Sequence, residues 1–121
     1  MVDESIKKDE KNNNYKIAVF GSSLLLKGAK LIGIKYVYID NGNENDIEKQ
    51  INELFKMDSI GIVIINESTV SKIKNNKLLA AMESSLKPIF IEVPNYNEPE
   101  LYTDMLRRLI IRAVGLDISK K

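Results

Sequence analysis

A glycine at position 21 follows an apolar run, Ser22 and Ser23 stand directly behind it, and Gly28 lies among Lys27 and Lys30. These are residue types that can hold a phosphate. A nucleotide loop wraps backbone amides round the anion and brings a lysine and a hydroxyl to oxygen and magnesium. That chemistry needs Gly, four residues, then Gly-Lys-Ser or Gly-Lys-Thr. Here six residues separate Gly21 from Gly28, and no lysine-hydroxyl pair follows. The dinucleotide pattern G-x-G-x-x-G is absent too, because Gly21 is followed by two serines and three leucines. A plainer reading is that Gly21 permits a sharp strand-to-helix turn and that Ser22 or Ser23 caps the helix behind it. Helix N-termini attract anions without any motif, which leaves weak anion binding as the residual reading.

Other chemistries are restricted by composition. The 121 residues contain no Cys and no His, so thiolate zinc sites, disulfides and imidazole base catalysis are excluded. Catalysis would fall to carboxylates, Lys or Ser alone, and no cofactor is expected. Eighteen Lys and Arg against 17 Asp and Glu leave a net charge of +1, which gives no overall attraction to nucleic acid or anionic lipid. No apolar run approaches the roughly 18 residues of a membrane span, and "MVDESIKKDEKNNN" lacks the apolar stretch of a signal peptide. A cytosolic protein, or one attached to a cytosolic face, is expected.

The elements that would position any site are legible from periodicity. Residues 1–14 are almost wholly polar and read as a disordered tail. From Tyr15 onward, β-branched runs alternate with amphipathic ones: "KIAVF" (16–20), "YVYI" (36–39), "IGIVII" (60–65) and "PIFIEV" (88–93). The first and third are apolar throughout and fit central strands; the other two fit edges. Between them Ile47, Ile51, Leu54 and Phe55 fall on one helical face behind an Asn cap. A shorter helix spans 24–31 and stops at Gly33. Residues 67–86 predict a helix with a weak or broken waist at "KNNK", and a last helix spans about 100–114, stopping at Gly115. "DNGN" at 40–43 reads as a strand-to-helix loop, and Asn66-Glu67-Ser68 as a helix cap. Four βα units with right-handed crossovers predict an α/β, Rossmann-like doubly wound sandwich with a four-stranded parallel sheet plus a C-terminal helix. The expected division is a Rossmann-like domain over 15–94, then a loop and helix over 95–121.

This order is similar to that of a phosphoacceptor receiver domain, which needs an acidic cluster after the first strand and an Asp ending the third, to hold magnesium and attack phosphorus. The corresponding residues are Ser22, Ser23 and Asn66. A receiver-like regulatory module without a phosphoacceptor survives as the alternative.

On the last helix, Leu101, Tyr102, Met105, Leu106, Leu109, Ile110 and Ala113 occupy an arc of roughly 180° at about 100° per residue. So broad a stripe fits a partner surface. It fits equally a helix that covers the sheet, with Arg107, Arg108 and Arg112 complementing its dipole.

The whole stretch from about 15 to 118 resembles the F subunit of the rotary V-type and archaeal-type (A-type) ATPases. The resemblance rests on "IAVFG", "LLLKGAKLIGI" and "YVYID", on "DSIGIVIINES", and on "KPIFIEVPNYNEPELYTDMLRRLIIRAVGLDI" with its "EVP" and "RAVGLD". Ser22 stands where that family usually has an acid, and "EVPNYNEPE" departs from the Gly-rich loop of many relatives. The resemblance implies a noncatalytic central-stalk subunit, peripheral on the cytosolic face of a membrane, that rotates while ATP is handled on the catalytic hexamer. It also implies a C-terminal helix packed on the coiled coil of the rotor's D subunit. Its partner-binding residues would be Leu101, Met105, Leu106, Arg107, Arg108, Leu109, Ile110, Arg112 and Ala113.

Overall fold

The computed structural model describes residues 15–114; the expected disordered tail and the stop at Gly115 lie outside the described residues. Four strands, β1 (Lys16–Gly21), β2 (Tyr36–Ile39), β3 (Ile60–Asn66) and β4 (Ile89–Val93), pair in parallel in the order β2-β1-β3-β4. The two apolar runs are central and the two amphipathic ones are edges, as their patterns predict. Alternation divides the central strands between two cores. Ala18, Phe20, Val63 and Ile65 face helix α2 (Glu44–Lys56) through Ile47, Ile51 and Leu54. Val19 and Ile64 face α1 (Ser23–Leu31) and the last helix through Leu25, Ala29, Tyr102 and Leu106. Helices therefore cover both faces, and the sheet is doubly wound.

Local chemistry sets the helix ends. The Ser22 hydroxyl accepts from the Leu25 amide at 3.2 Å and the Asn43 side chain from the Asp46 amide at 3.0 Å, which satisfies first-turn donors. Helix α1 ends in a left-handed Gly33 at φ 89°. Its amide donates to the Lys30 carbonyl while the Ile34 amide donates to that of Ala29, each at 3.0 Å. In the loop before α2, the Gly42 amide donates to Asp40 and the Asn43 amide to Asn41, at 2.8 and 2.9 Å, so "DNGN" is a strand-to-helix loop.

The expected broken helix divides into α3 (Glu67–Val70) and α4 (Asn76–Ser84). The break falls at "KNN" because Asn75 accepts from the Leu78 amide at 3.1 Å and so starts a new helix. The last helix, α5 (Pro99–Val114), begins at Pro99, a residue suited to the first helical position.

Helix α5 packs closely on α1. A Cβ built on Gly28 would stand 2.8 Å from Cβ of Tyr102 and 2.9 Å from the Pro99 carbonyl oxygen. Both obstacles are backbone or next to it and cannot swing aside. Beside this contact the buried Thr103 hydroxyl donates to the Gly28 carbonyl at 3.2 Å. Gly28→Ala is accordingly expected to lower stability by about 1–3 kcal/mol, the usual range for overpacking. Urea denaturation will register it as a lower midpoint with an unchanged slope.

Candidate functional site

In a doubly wound sheet a ligand crevice opens beyond the carboxyl ends of the strands, where neighbouring connections leave for opposite faces. Here that point lies between β1 and β3, at Gly21, Ser22 and Asn66. It is filled by the protein itself. Asn66 is fully buried, and its Oδ1 accepts from the Ser22 amide at 2.8 Å. Its Nδ2 donates to the Tyr102 hydroxyl at 3.1 Å and to the Pro94 carbonyl at 3.4 Å. The same hydroxyl accepts from the Tyr96 amide at 2.8 Å, and the Tyr96 and Tyr102 rings meet edge to face at 5.1 Å.

This geometry refines two expectations. Asn66 holds the N-cap position of α3 as expected, but its side chain makes no bond to that helix and pairs instead with the Ser22 amide and the Tyr102 hydroxyl. Gly21 is required for space rather than for a turn. A Cβ there would stand 2.1 Å from Asn66 Oδ1, while positive φ among the described glycines is confined to Gly33 and Gly42. The position where a receiver domain has its nucleophile is thus occupied by a plug.

A second polar cluster flanks the plug, and nothing in the spacing of the sequence announced it. Asp40 Oδ2 accepts from the Thr69 hydroxyl at 2.8 Å and from Lys72 Nζ at 2.6 Å, while Oδ1 takes the Gly42 amide. The Asp40 side chain is 5% exposed and that of Lys72 39%. Burial alone would push the Asp40 carboxyl up. The hydrogen bonds from Lys72, Gly42 and Thr69 outweigh it and hold the group below its ordinary value. The cluster ties the end of β2 to α3 and the turn behind it. No group of three or more metal-ligating side chains occurs among the described residues.

The expected partner-binding residues separate into two sets. Met105, Leu106 and Ile110 are buried, only 8%, 0% and 7% exposed, and Tyr102 is 0% exposed. They are the inner face of a docked helix, and the broad apolar stripe is largely used by the domain's own sheet and α1. Of the two readings open for the stripe, these residues follow the one in which the helix covers the sheet. Leu109 is half-buried; Leu101, Arg107, Arg108 and Arg112 are exposed on the outer face. The side chain of Ala113 lies outside the described residues.

The class is thus a doubly wound α/β scaffold whose crevice at the switch point is filled by its own side chains. The family model described as "ATP synthase (F/14-kDa) subunit" matches residues 17–110, and the chain belongs to that family. It is similar to the F subunit of the A-type ATP synthase of Thermococcus kodakarensis, 29% identical over 108 residues, covering 87% of this chain and 99% of the relative. It is likewise similar to the A-type F subunit of Methanospirillum hungatei, 33% identical over 104 residues, covering 86% and 98%. Among solved structures, the F subunit of the V-type ATP synthase of Archaeoglobus fulgidus superposes with a TM-score of 0.59 at 25% identity, covering 66% of this chain and 98% of that one. The family places the chain as a structural rather than a catalytic subunit of an A/V-type ATP synthase complex. No helix among the described residues is long and apolar enough to cross a membrane.

Two outcomes follow from the crevice. Asn66→Asp keeps the shape but replaces the donor facing Pro94 and Tyr102 with an acceptor. Chemical denaturation is expected to show a loss of about 1–3 kcal/mol, the cost of buried groups left unpaired. Because the folded Asp40 carboxyl lies below its ordinary value, it stabilises the fold above about pH 4 and ceases to do so as pH falls through the folded value. Asp40→Asn is therefore expected to be less stable than the parent near neutral pH, with the gap narrowing in acid; stability curves of both proteins across pH check this.

Proposed function

We propose that the chain is a central-stalk, or rotor, subunit of its complex. In this reading it binds the coiled-coil D subunit on the cytosolic side of the membrane and turns with it. ATP is handled elsewhere in the assembly, and this subunit transmits torque and position through contact alone. Family membership carries the reading, and the outer face of α5 supports it. That face presents Arg108 and Arg112 with the exposed Leu101 and Asp104, Arg107 standing at its edge toward Ile110, while the inner face anchors the helix to the sheet. Such an arrangement gives a rigid helix whose exposed residues can meet another helix without unfolding the domain. The cations would guide approach and register, and Leu101 would add apolar contact. The buried Met105, Leu106 and Ile110 then act indirectly, by holding the helix in place.

A binding titration of the full chain against recombinant D subunit tests this. Arg108→Glu combined with Arg112→Glu is expected to weaken binding by about tenfold at low salt, with the difference shrinking as salt rises. Both residues are exposed, so circular dichroism should be unchanged. Leu106→Asp serves as the contrast and is expected to destabilise the domain itself, since it would bury an unpaired charge. Absence of measurable binding by the parent chain would sink the rotor reading.

A further inference from the structure

At the opposite end of the sheet from the plug, the amino ends of β1 and β2 and the last turns of α1 and α5 surround an open groove of about 460 Å³. Its walls are Ile17, Ile32, Ile34, Ile110 and Ile111, with Gly33 at one side. All but Ile110 are half-buried, so a strip of aliphatic surface faces solvent. Apolar surface of this kind, rimmed by charge, marks a contact site. The rim has one sign. Arg107 stands on the α5 side, Lys16 and Lys35 line the adjoining hollow beside Tyr15 and Tyr36, and among the described residues no carboxylate lines either.

We propose that this isoleucine groove seats an acidic, apolar segment of the coiled-coil partner; the inference rests on the rotor reading and gives the partner a second contact beyond the outer face of α5. Aliphatic side chains of the partner fill the groove while flanking Asp or Glu residues meet Lys16, Lys35 and Arg107. Opposite charge is the requirement, because a neutral or basic segment would leave three cations crowded at a desolvated rim. The chain's own ends fit less well. Residues 115–121 offer Leu116 and Ile118 against five isoleucines and finish in Lys120-Lys121, of the same sign as the rim; residues 2–14 offer Val2 and Ile6 among seven charges.

The test uses the full chain and recombinant D subunit. A benzophenone amino acid placed at Ile34 is irradiated in the complex and the cross-linked peptides are sequenced; a D-subunit peptide rich in Asp or Glu is the expected product. Lys16→Glu combined with Lys35→Glu, both exposed and neither on α5, is expected to raise Kd by about tenfold at low salt, with the effect fading at high salt. Cross-links to residues 115–121, to residues 1–14 or to a second copy overturn the proposal. So does unchanged affinity of the double variant while the parent binds normally, an outcome that leaves the rotor reading standing. Failure of the parent to bind the D subunit removes both.

Discussion

The structure depends on one buried amide. Asn66 ends β3 at the point where three segments converge: the Ser22 turn that starts α1, the loop after β4 through the Pro94 carbonyl, and α5 through the Tyr102 hydroxyl, which also takes the Tyr96 amide of that loop. A carboxamide alone among the common side chains offers an acceptor on one side and donors on the other at this length. The Ser22 amide needs the acceptor; the carbonyl and the hydroxyl need the donors. Without the Asn66 carboxamide the Ser22 amide and the Pro94 carbonyl would lose this partner, and a buried polar group left unpaired costs about 1–3 kcal/mol. The absence of a side chain at Gly21 follows from the same amide, because Oδ1 occupies the space that any Cβ would claim.

Placing such a joint at the switch point changes what the fold can do. In doubly wound proteins that act on ligands, this crevice is held open and lined with groups aimed at phosphate or metal. Here the corresponding polar atoms are turned on one another. The Asp40, Thr69 and Lys72 cluster extends the pattern, since a carboxylate that could have faced a cation is satisfied by an ammonium, a hydroxyl and a backbone amide. What would be a reaction centre becomes the rigid end of the domain, and it clamps the amino end of α5 through Tyr102. Under the rotor reading proposed above, stiffness at that place would help a subunit that transmits force through contacts.

Strand order, helix positions and the two-sided burial of β1 and β3 could be read from the chain because they rest on periodicity, which is local. Even the waist between α3 and α4 is written in "KNNK". The family could be read because its motifs run along the whole chain. The plug could not: Ser22 and Asn66 are 44 residues apart and Asn66 and Tyr102 are 36 apart. An Asn before a helix looks like a cap whatever else it does. The stripe on α5 stayed open between two readings for a different reason. A helical wheel gives the width of an apolar arc but not how much of it the rest of the domain will cover. Gly28, which lets Tyr102 and Pro99 approach α1, is legible in the sequence only as a glycine inside a short helix.

The direction of the elements has an electrostatic consequence that joins the two ends of the molecule. In a parallel sheet every crossover helix runs against the strands, so all the helix N-termini lie at the plugged end and all the C-termini at the end of the isoleucine groove. Acids favour the first turn of a helix and bases the last. Accordingly Glu44, Asp46, Glu67 and Glu100 gather at the first end, and Lys30, Lys56 and Arg112 at the second. Individually these residues stabilise single helices by small amounts. In a fold that aligns its helices, these helix-end charges set acids toward one end and bases toward the other. A polar molecule orients in the field of a charged partner before contact, and orientation rather than attraction is what limits docking of two specific patches. The rules that cap each helix thus also set Lys30, Lys56 and Arg112 at the end of the sheet that carries the aliphatic groove, the arrangement the proposed acidic partner segment would meet.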